Sequence, residues 1–579
     1  MNRFIAKLES MDALVRIKTY VDPVLEIAEI TDRMSKQPNG GKALLFENTG
    51  TGFPVLTNMM GSPHRMAAAL GVTEVTQITQ RLESWLANAT TPRQGWLEKI
   101  KLLPQLKEAA SWVPKKKKGP GACQEVVYMQ LDLGLLPILQ CWPHDGGRFI
   151  TLPLVHTQDP DTGQRNVGMY RMQVFSKNTT GMHWHKHKTG ARHFAANKNA
   201  HFPVAVCLGG DPIYAFCAAA PLPDGMDEYL LAGFLRKRAV QLVPCLTVGL
   251  SVPEDCDFVL EGYIEANEKP VMEGPFGDHT GFYSLPDLYP TFHVTCLSHK
   301  RGAVYPATLV GIPPQEDSYM SEAIEKIFLT PLRVAVAPEV VDMHLPVEGV
   351  SHNIAVLKID KSYAGQAIKT AHAMWGAGQM MLNKMVVMVS DDIDIRDRKA
   401  LLETIRKHYQ PARDTFFSRG PLDVLDHAAP KCGFGGKICI DATRKFPEEE
   451  NGMGQTTPPD RVFSFAHHSE KEPNALIEVL LDLSVDLNNP FMCLWLLGNN
   501  ADPIRDMHLT GNTLRIDART KKRGDKGLLR PWPNVVCASE ATIKRVDVIC
   551  KSIGLDHLIP SPSLFYRSLV LPGDAAITP

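Results

Sequence analysis

The first 57 residues combine helical and strand periodicity. Between Pro23 and Met34 the apolar residues recur every three or four positions, which predicts an amphipathic helix. Lys42–Glu47 and Pro54–Thr57 are short apolar runs on either side of a Gly-Thr-Gly turn, as in two neighbouring strands. An α+β beginning is therefore predicted. Over residues 74–110 the pattern predicts two further helices, broken near Thr90-Thr-Pro92.

Between Gln124 and Leu297 the pattern changes to short apolar runs separated by Gly/Pro turns. Closely spaced runs of this kind predict strands that form a barrel or a sandwich. The predicted strands are Arg148–Pro153, Met169–Phe175, Val204–Leu208, Leu242–Thr247, Phe258–Glu265 and Phe292–Leu297.

After Met320 helices alternate with apolar runs, which predicts a doubly wound layer of parallel strands. No internal repeat is apparent at any period. The predicted elements are the helices Ser321–Pro331 and Gly365–Gly376 and the strands Ala355–Ile359 and Met385–Val389.

The composition is that of an ordinary globular protein. Its 579 residues are 44% hydrophobic and 22% charged, with a formal net charge of -1. This balance gives no electrostatic reason to expect nucleic acid or an anionic membrane surface as a partner. The run Lys115–Lys118 is interpreted as a solvated loop, and the tail Leu571–Pro579 is predicted to be unstructured.

Twelve cysteines occur singly, with no C-x-x-C pair, and are interpreted as reduced core residues. The sequence after Met1 lacks the apolar core of a signal peptide, and no run approaches the roughly 18 apolar residues that span a bilayer. We therefore expect a cytoplasmic protein without an integral membrane segment.

The segment Glu273–Gly281, here called the acid loop, carries the most informative chemistry. Three glycines and a proline in nine residues predict a loop, which also holds His279 and places Asp278 five residues after Glu273. Two carboxylates in one pocket repel each other, so that one of them retains a proton for acid/base chemistry. The alternative interpretation is a surface turn.

A second segment runs from Asn166 through Arg171 to a histidine cluster at His183, His185 and His187. If this cluster lies on a strand, its alternate positions point to one face, which would allow a three-histidine metal site. Arg171 by itself favours the interpretation of a surface arginine in an exposed salt bridge.

Together these segments resemble the UbiD family of decarboxylases, which use prenylated FMN to remove carboxylate from aromatic and α,β-unsaturated acids. The resemblance covers most of residues 1–75 and 120–510. It includes four further segments: Pro221–Gly233, Leu260–Glu265, Lys361–Gly365 and Lys437–Thr443.

The resemblance implies an α/β (α+β) fold of three domains. These are an N-terminal α+β domain over residues 1–123, a central split β-barrel that binds prenylated FMN over 124–319, and a C-terminal α/β oligomerisation domain over 320–579. Residues 74–118 are interpreted as a helical insertion. A homodimer or homohexamer is implied, with apolar segments Ile327–Pro331 and Phe491–Leu497 as candidate contacts and internal core as their alternative interpretation.

The resemblance also implies the cofactor site. Asn166, His187 and Glu228 would hold Mn²⁺ or Mg²⁺, which such hard ligands with one imidazole suit better than zinc; K⁺ is a further candidate ion. The family usually has an arginine where this sequence has His183, and Arg-Gly where it has Lys188-Thr189. A lysine still offers a positive charge to a phosphate, but it cannot form the two parallel hydrogen bonds of an arginine. The implied flavin contacts are Asn166, Val167, Gly168, Met169, Tyr170, Arg171, His183, Trp184, His185, Lys186, His187, Lys188, Thr189, Glu228 and Lys437.

Arg171, Glu273 and Asp278 match the family's catalytic triad. By this resemblance Arg171 holds the substrate carboxylate, Glu273 tunes Arg171, and Asp278 donates a proton from a pKa raised by burial and by Glu273. The implied substrate is a small aromatic or unsaturated acid that releases CO₂. Candidates are a hydroxybenzoate or hydroxynaphthoate of quinone biosynthesis and a catabolic aromatic acid, with the reaction reversible to carboxylation. A flavin prenyltransferase would supply the cofactor.

Two other functions stay open at this point. The fold would also serve a non-catalytic flavin- and metal-binding subunit of a multi-component carboxylase, although the intact triad argues against this. A zinc hydrolase built on His183, His185 and His187 would need bound zinc and no flavin.

Overall fold

The computed structural model describes residues 1–90, 103–185, 187–450, 459–469 and 474–578. The chain forms two compact units, the first made of Met1–Met320 and Val536–Tyr566, the second of Ser321–Val535 and Arg567–Pro579. No helix within these described ranges is long and apolar enough to cross a membrane. The three predicted domain boundaries, and the insertion at residues 74–118, stay predictions.

The first unit begins with a mixed four-stranded sheet, and the α+β beginning is confirmed. Its strands lie in the order Leu14–Tyr20, Ala43–Asn48, Val55–Thr57, Tyr305–Pro306. The helix predicted from Pro23 lies at Glu26–Ser35 and is buried on every residue from Ile27. The predicted helix break adjoins residues 91–102, which lie outside the described residues. The other helices here are Asn2–Ser10, Pro63–Ala69, Thr76–Thr90 and Leu103–Trp112.

A seven-stranded antiparallel sheet forms the centre of this unit. Its strands follow the order Thr179–Gly181, Thr291–His299, Phe258–Glu265, His201–Leu208, Leu154–Gln158 and Arg165–Met169, with Val126–Tyr128 paired to Thr291–His299. The helices beside it are Thr189–Ala196, Ile213–Ala219 and Glu228–Arg236. Apolar residues such as Phe202, Phe258 and Phe292 are fully buried, which explains the strong strand signal.

Short strands complete the first unit. They are Gln241–Pro244 with Ser251–Pro253 and Lys115–Lys116, Phe149–Ile150 with Met172–Gln173, Val271–Glu273 with Asp287–Tyr289, and Phe276–Gly277 with Tyr283–Ser284. The last two pairs form the acid loop and its return.

The second unit contains two sheets, and the predicted α/β pattern is confirmed. The five-stranded sheet has the order Val340–His344, Ile354–Ile359, Met385–Val389, Phe434–Ala442, Thr415–Pro421, with the three central strands parallel. The four-stranded sheet has the order Arg461–Ala466, Ala475–Leu480, Thr513–Asp517, Met507–Thr510. The longer helices are Gln366–Trp375, Arg398–His408 and Pro490–Asn500, and Glu316–Ala335 leads into this unit from the first.

The two sheets share one arrangement of four strands, in which three parallel strands are followed by an antiparallel edge strand. This structural repeat has no fixed period in the sequence. In each copy a short Pro-x-Arg-Asp helix, Pro411–Asp414 or Pro503–Asp506, leads directly into an antiparallel strand. A hairpin then returns as a strand whose end carries Ile-Asp, with Ala as the next residue and a lysine with a buried side chain shortly after it. Lys445 lies 3.6 Å from Asp414, and Lys521 lies 3.6 Å from Asp506.

The repeat escapes a search at fixed period because the two hairpins differ in length. The first turns through Leu422–Gly433, whereas the second turns through Gly511 and Asn512. Few side chains are shared beyond those that place a buried lysine between two carboxylates. The two copies share the strand order, the ion pairs of the lysine and the short Pro-x-Arg-Asp and Ile-Asp-Ala motifs, but these motifs lie at different spacings in the two copies.

Two predictions about this unit are corrected. The tail Leu571–Pro579 is predicted to be unstructured, but over its described residues, 571–578, it is held by hydrogen bonds. The Asn534 amide donates to the Ala575 carbonyl at 2.8 Å, and the Ile577 amide donates to the Trp532 carbonyl at 3.0 Å. The segment Phe491–Leu497 lies in a helix whose Trp495, Leu496 and Leu497 are buried inside the unit. It is therefore core, as its alternative interpretation states.

The segment Val536–Tyr566 completes the first unit. Its helix, Glu540–Ser552, packs on the helix Glu26–Ser35, and Arg33 forms an ion pair with Asp547 at 2.7 Å. At its start, the Val536 amide donates to the Gly281 carbonyl at 2.9 Å. This segment therefore supports the end of the acid loop.

Candidate active site

The acid loop is held by side chains from outside it. The Gly277 amide donates to Asp145 Oδ1 at 2.7 Å, and the Gly274 amide donates to Gln173 Oε1 at 2.7 Å. Burial raises the pKa of Asp145 to about 7, although it also accepts bonds from two other backbone amides. The sequence reasoning missed both side chains, since nothing local to Asp145 or Gln173 marks them as partners of a loop a hundred residues away.

Gly277 is a glycine because of a close neighbour. A Cβ added there would lie 2.2 Å from Cδ1 of Trp142, whose indole is fixed by a 2.9 Å hydrogen bond to the Val310 carbonyl. No real side-chain atom approaches so closely, so the loop can pass Trp142 only without a side chain at this position. The loop is thereby set between a rigid indole and the Asp145 carboxylate.

Arg171 lies between the two acids of the loop, two residues after the end of the strand Arg165–Met169. Its Nε donates to Glu273 Oε1 at 3.0 Å and its Nη2 to Glu273 Oε2 at 3.1 Å. Its Nη1 donates to Asp278, and its Nη2 also donates to Ser284 Oγ at 2.6 Å. Ser284 was not predicted; it lies opposite Phe276 in the hairpin register, which a sequence does not reveal. The structure thus brings the three predicted catalytic residues together.

The ionisation of the two acids differs from the sequence prediction. Burial acts to raise both pKa values, but the Arg171 charge and a hydrogen bond from His183 lower the pKa of Glu273 to about 2. For Asp278, hydrogen bonds from His279 and the Arg171 charge outweigh burial and hold its pKa well below the ordinary value. The prediction of a raised Asp278 pKa is therefore wrong for this state, because an arginine separates the two like charges.

His183 joins this cluster from the other side. Its Nδ1 lies 2.9 Å from Glu273 Oε2, its Nε2 lies 2.7 Å from His185 Nε2, and its ring packs on Tyr289 with centroids 4.2 Å apart. Residues 182–185 follow the strand Thr179–Gly181 but are not part of a strand, which corrects the expected strand face. Both nitrogens of His183 contact protein groups, so the cluster does not offer the three imidazoles of a zinc hydrolase.

Two of the three predicted metal ligands, Asn166 and Glu228, lie where the edge strand Arg165–Met169 meets a helix N-terminus. Glu228 begins the helix Glu228–Arg236, and its Oε2 accepts a hydrogen bond from the Val167 amide at 2.9 Å. Asn166 is buried on the strand beside Val167 and lies 3.4 Å from Thr157 Oγ1 through its amide nitrogen. Removal from solvent raises the pKa of Glu228 to about 7, because it outweighs the hydrogen bond from Val167 and the charge of Arg165.

Tyr170 shapes the strand end that carries the predicted flavin contacts Val167, Gly168 and Met169. A Cβ at Gly168 would lie 2.3 Å from the Tyr170 hydroxyl, so only glycine fits beside that ring. The hydroxyl also interacts with the Asn166 side chain and the Gly190 backbone. This one phenol therefore links Asn166 to the start of the helix Thr189–Ala196.

That helix N-terminus carries the other predicted phosphate contacts. Lys188 is its N-cap residue, Thr189 its first residue, and both are half-buried. The indole nitrogen of buried Trp184 has no hydrogen-bond partner among the described residues. His187 is exposed, and no hydrogen bond within the described part of the chain joins it to Asn166 or Glu228. Lys186, also predicted as a contact, lies outside the described residues.

The chemical types of these residues fit the metal ion and the phosphate of the implied cofactor. The half-buried Glu228 carboxylate beside the buried Asn166 suits a hard cation, and the indole N–H of Trp184, which has no hydrogen-bond partner among the described residues, suits an anion such as a phosphate near the helix N-terminus. A second group of possible metal ligands lies at the surface, away from Asn166 and Glu228. Among the described residues, the side-chain ligand atoms of Glu265, Glu268 and His293 lie within 4.8 Å of one another.

Lys437 belongs to the second unit. Its Nζ donates to the Met381 carbonyl at 2.7 Å and the Asn383 carbonyl at 2.5 Å, and burial lowers its pKa to about 7. Its predicted contact with the flavin stays a prediction.

Comparison with known proteins finds relatives that match most of the chain. Three family models match in order: the 3-octaprenyl-4-hydroxybenzoate carboxy-lyase N-terminal domain over residues 5–85, the Rift-related domain over 115–313 and the C-terminal domain over 318–442. An uncharacterized protein of Archaeoglobus fulgidus is 45% identical over 454 residues, which span 78% of this chain and 92% of that protein. A second, from Helicobacter pylori, is 36% identical and spans 94% of this chain and 95% of its own.

Solved structures with a similar fold include UbiD-class enzymes. The UbiD-class enzyme HmfF from Pelotomaculum thermopropionicum, in complex with FMN, is 28% identical, has a TM-score of 0.63, and matches 79% of this chain and 97% of its own. The closed form of vanillic acid decarboxylase from Sedimentibacter hydroxybenzoicus shares the fold at 24% identity, with a TM-score of 0.68 over 79% of this chain and 95% of its own. With its three domain types matched in order and a relative 45% identical along most of its length, the chain belongs to the UbiD family of carboxy-lyases.

Proposed function

We propose that this protein is a prenylated-FMN-dependent decarboxylase of a small aromatic or α,β-unsaturated carboxylic acid. The observation that carries the proposal is the position of Arg171, a buried guanidinium that contacts both Glu273 and Asp278. A permanently charged planar group beside two acids can hold a substrate carboxylate and position a proton donor together. HmfF, with its bound FMN, supports the flavin part of the proposal.

The cofactor would be held at the end of the strand Arg165–Met169. Asn166 and Glu228, with His187 from the adjoining turn, would bind Mn²⁺ or Mg²⁺, and K⁺ is a further candidate. The start of the helix Thr189–Ala196 would meet the flavin phosphate. When bound, prenylated FMN supplies the electron sink that loss of CO₂ from an sp² carbon requires.

The chain's own residues then have separate tasks. Arg171 orients the substrate by its carboxylate, and before the acid arrives Glu273 holds the guanidinium in place through two parallel hydrogen bonds. Asp278 is ionised while Arg171 and His279 contact it, so it becomes a proton donor only when those contacts are exchanged during the reaction. The buried Asp145, Trp142 and Gln173 keep the loop in register.

The proposal also covers the substrate class, the source of the cofactor, the oligomeric state and the location of the protein. A hydroxybenzoate or hydroxynaphthoate of quinone biosynthesis is the preferred substrate class, with the direction reversible to carboxylation. A flavin prenyltransferase would supply the cofactor, and the active form would be a homodimer or homohexamer. All twelve cysteines lie in the described residues and none of them forms a disulfide there, which supports a reducing, cytoplasmic location.

Co-expression with a flavin prenyltransferase provides the test. The purified protein should show a flavin absorbance spectrum and a stoichiometric divalent metal, and should release CO₂ from at least one acid in a panel of hydroxybenzoates, hydroxynaphthoates and cinnamates. Arg171→Gln is the control, since it removes the carboxylate clamp without removing the predicted metal ligands. Loaded wild-type protein that turns over no acid and exchanges no deuterium into any product would favour the non-catalytic subunit.

A further inference from the structure

Arg171 cannot take up a substrate carboxylate without giving up a contact that it now makes. Four of its N–H groups are engaged among the described residues, two by Glu273, one by Asp278 and one by Ser284. A guanidinium has five such groups, and a carboxylate held in two parallel hydrogen bonds needs two of them. At least one present bond must therefore be exchanged when an acid binds.

Glu273 is the partner that can least tolerate that exchange. Its side chain is 0% exposed, so it has no water to replace a lost donor. A Cβ at Gly181 would lie 3.0 Å from its Cγ, which shows how closely the backbone confines the carboxylate. A buried carboxylate that loses its donors is costly, so Glu273 needs a second donor that stays in place.

His183 is placed to be that donor. Its Nδ1 lies 2.9 Å from Oε2, the same oxygen that accepts from Arg171 Nη2. Because Glu273 is an ionised acceptor, Nδ1 must carry the hydrogen. The Nε2 of a neutral His183 then accepts from His185 Nε2 at 2.7 Å, and the ring is further fixed against Tyr289. The contacts thus determine one tautomer of His183.

We propose that His183 is a positioning residue that holds the Glu273 carboxylate while Arg171 turns to the carboxylate of an acid substrate. This inference rests on the proposed function, because it assumes that the site receives an acid. It assigns His183 to the exchange of ion-pair partners rather than to the flavin.

Two variants separate the hydrogen bond from the packing. His183→Phe keeps a ring against Tyr289 but has no N–H, whereas His183→Asn places an amide N–H close to the position of Nδ1. Benzoate binding to the flavin-free proteins is measured by titration calorimetry, with thermal midpoints as the check on folding. We expect His183→Asn to bind benzoate within about 3-fold of wild type and His183→Phe to bind it about 10-fold or more weakly, the range of one hydrogen bond to a charged group.

Different results would contradict the proposed role of His183 in different ways. Equal benzoate affinity of wild type and His183→Phe would overturn the inference, as would absence of benzoate binding to wild type. If the prenyltransferase-loaded His183→Phe lost flavin absorbance while wild type retained it, His183 would be a flavin contact instead. If the Phe variant does not fold, His183→Leu replaces it in the same titration. Failure of the proposed function would appear separately, as loaded wild-type protein without turnover of any acid.

Discussion

Arg171 holds Glu273 through two parallel hydrogen bonds, Nε to Oε1 at 3.0 Å and Nη2 to Oε2 at 3.1 Å. The guanidinium carbon also lies 4.8 Å from the centre of the Phe276 ring, whose residue belongs to the same loop. A planar fork matched to a planar carboxylate fixes both orientation and charge. The site is therefore organised around one cation and two anions before any ligand arrives, and the following predictions test that arrangement.

Arg171→Gln should reverse the pH dependence that this cluster gives to stability. In wild type the pKa of Glu273 is lowered to about 2, so its contribution is present above its ordinary value of about 4.3 and is lost as the pH falls toward 2. Without the arginine, burial should raise the pKa of the carboxylates, so the folded state becomes more stable on mild acidification. We expect a loss of about 3–5 kcal/mol at neutral pH, partly recovered at pH 5.

Chemical denaturation at pH 5 and pH 7.5 measures this difference. The matched control is Arg192→Gln, which removes an exposed ion pair with Asp224 and should change the free energy of unfolding by less than about 1 kcal/mol. A variant of Arg171 that is equally stable at both pH values would show that the two acids are not coupled to it.

Asp278→Asn should retain the flavin spectrum and the affinity for acid but lose turnover by roughly 10²–10⁴-fold, the usual scale for removing a general acid. The amide keeps the shape and can still contact Arg171, yet it cannot deliver a proton. Incorporation of solvent deuterium into the product gives the direct measurement. If the Asn variant labelled the product at the wild-type rate, Glu273 or an ordered water would be the donor.

His187→Ala should remove the bound metal and weaken the flavin, because the imidazole is the predicted nitrogen ligand beside Asn166 and Glu228. Metal content by mass spectrometry and flavin absorbance after gel filtration report the two losses. His64→Ala, at an exposed histidine of the helix Pro63–Ala69, should leave both at the wild-type level. Full occupancy of metal and flavin in the His187 variant would mean that the site lies elsewhere.

Gly277→Ala should displace the acid loop, since the added Cβ would lie 2.2 Å from Trp142 Cδ1. We expect a loss of activity of at least about 10-fold, because small misplacements of catalytic groups are costly, and faster hydrogen exchange of the loop amides. At Gly249 a Cβ meets no atom within 4 Å, so Gly249→Ala serves as the neutral control. Wild-type activity in the Gly277 variant would show that the loop can move away from Trp142 without effect.

Local pattern determined much of the fold. The strand Phe258–Glu265 was predicted with the limits that it has in the structure, because a run of buried apolar residues between turns has few alternatives. Motif resemblance, rather than periodicity, identified Arg171, Glu273 and Asp278, which the structure brings together. The structural repeat in the second unit was not apparent from the sequence, since its hairpins differ in length and its short motifs therefore lie at different spacings.

The sequence by itself determined which elements form, which family the chain resembles and which charged residues are candidates for the chemistry. Only the tertiary structure decided the ionisation and the hydrogen-bond partners of those residues. Asp278 has a lowered pKa because Arg171 and His279 reach it, and Glu273 has a third donor because the chain returns at His183. Ionisation in a buried site depends on the charges and donors within a few ångströms. Those neighbours come from distant parts of the chain, so no local pattern contains them.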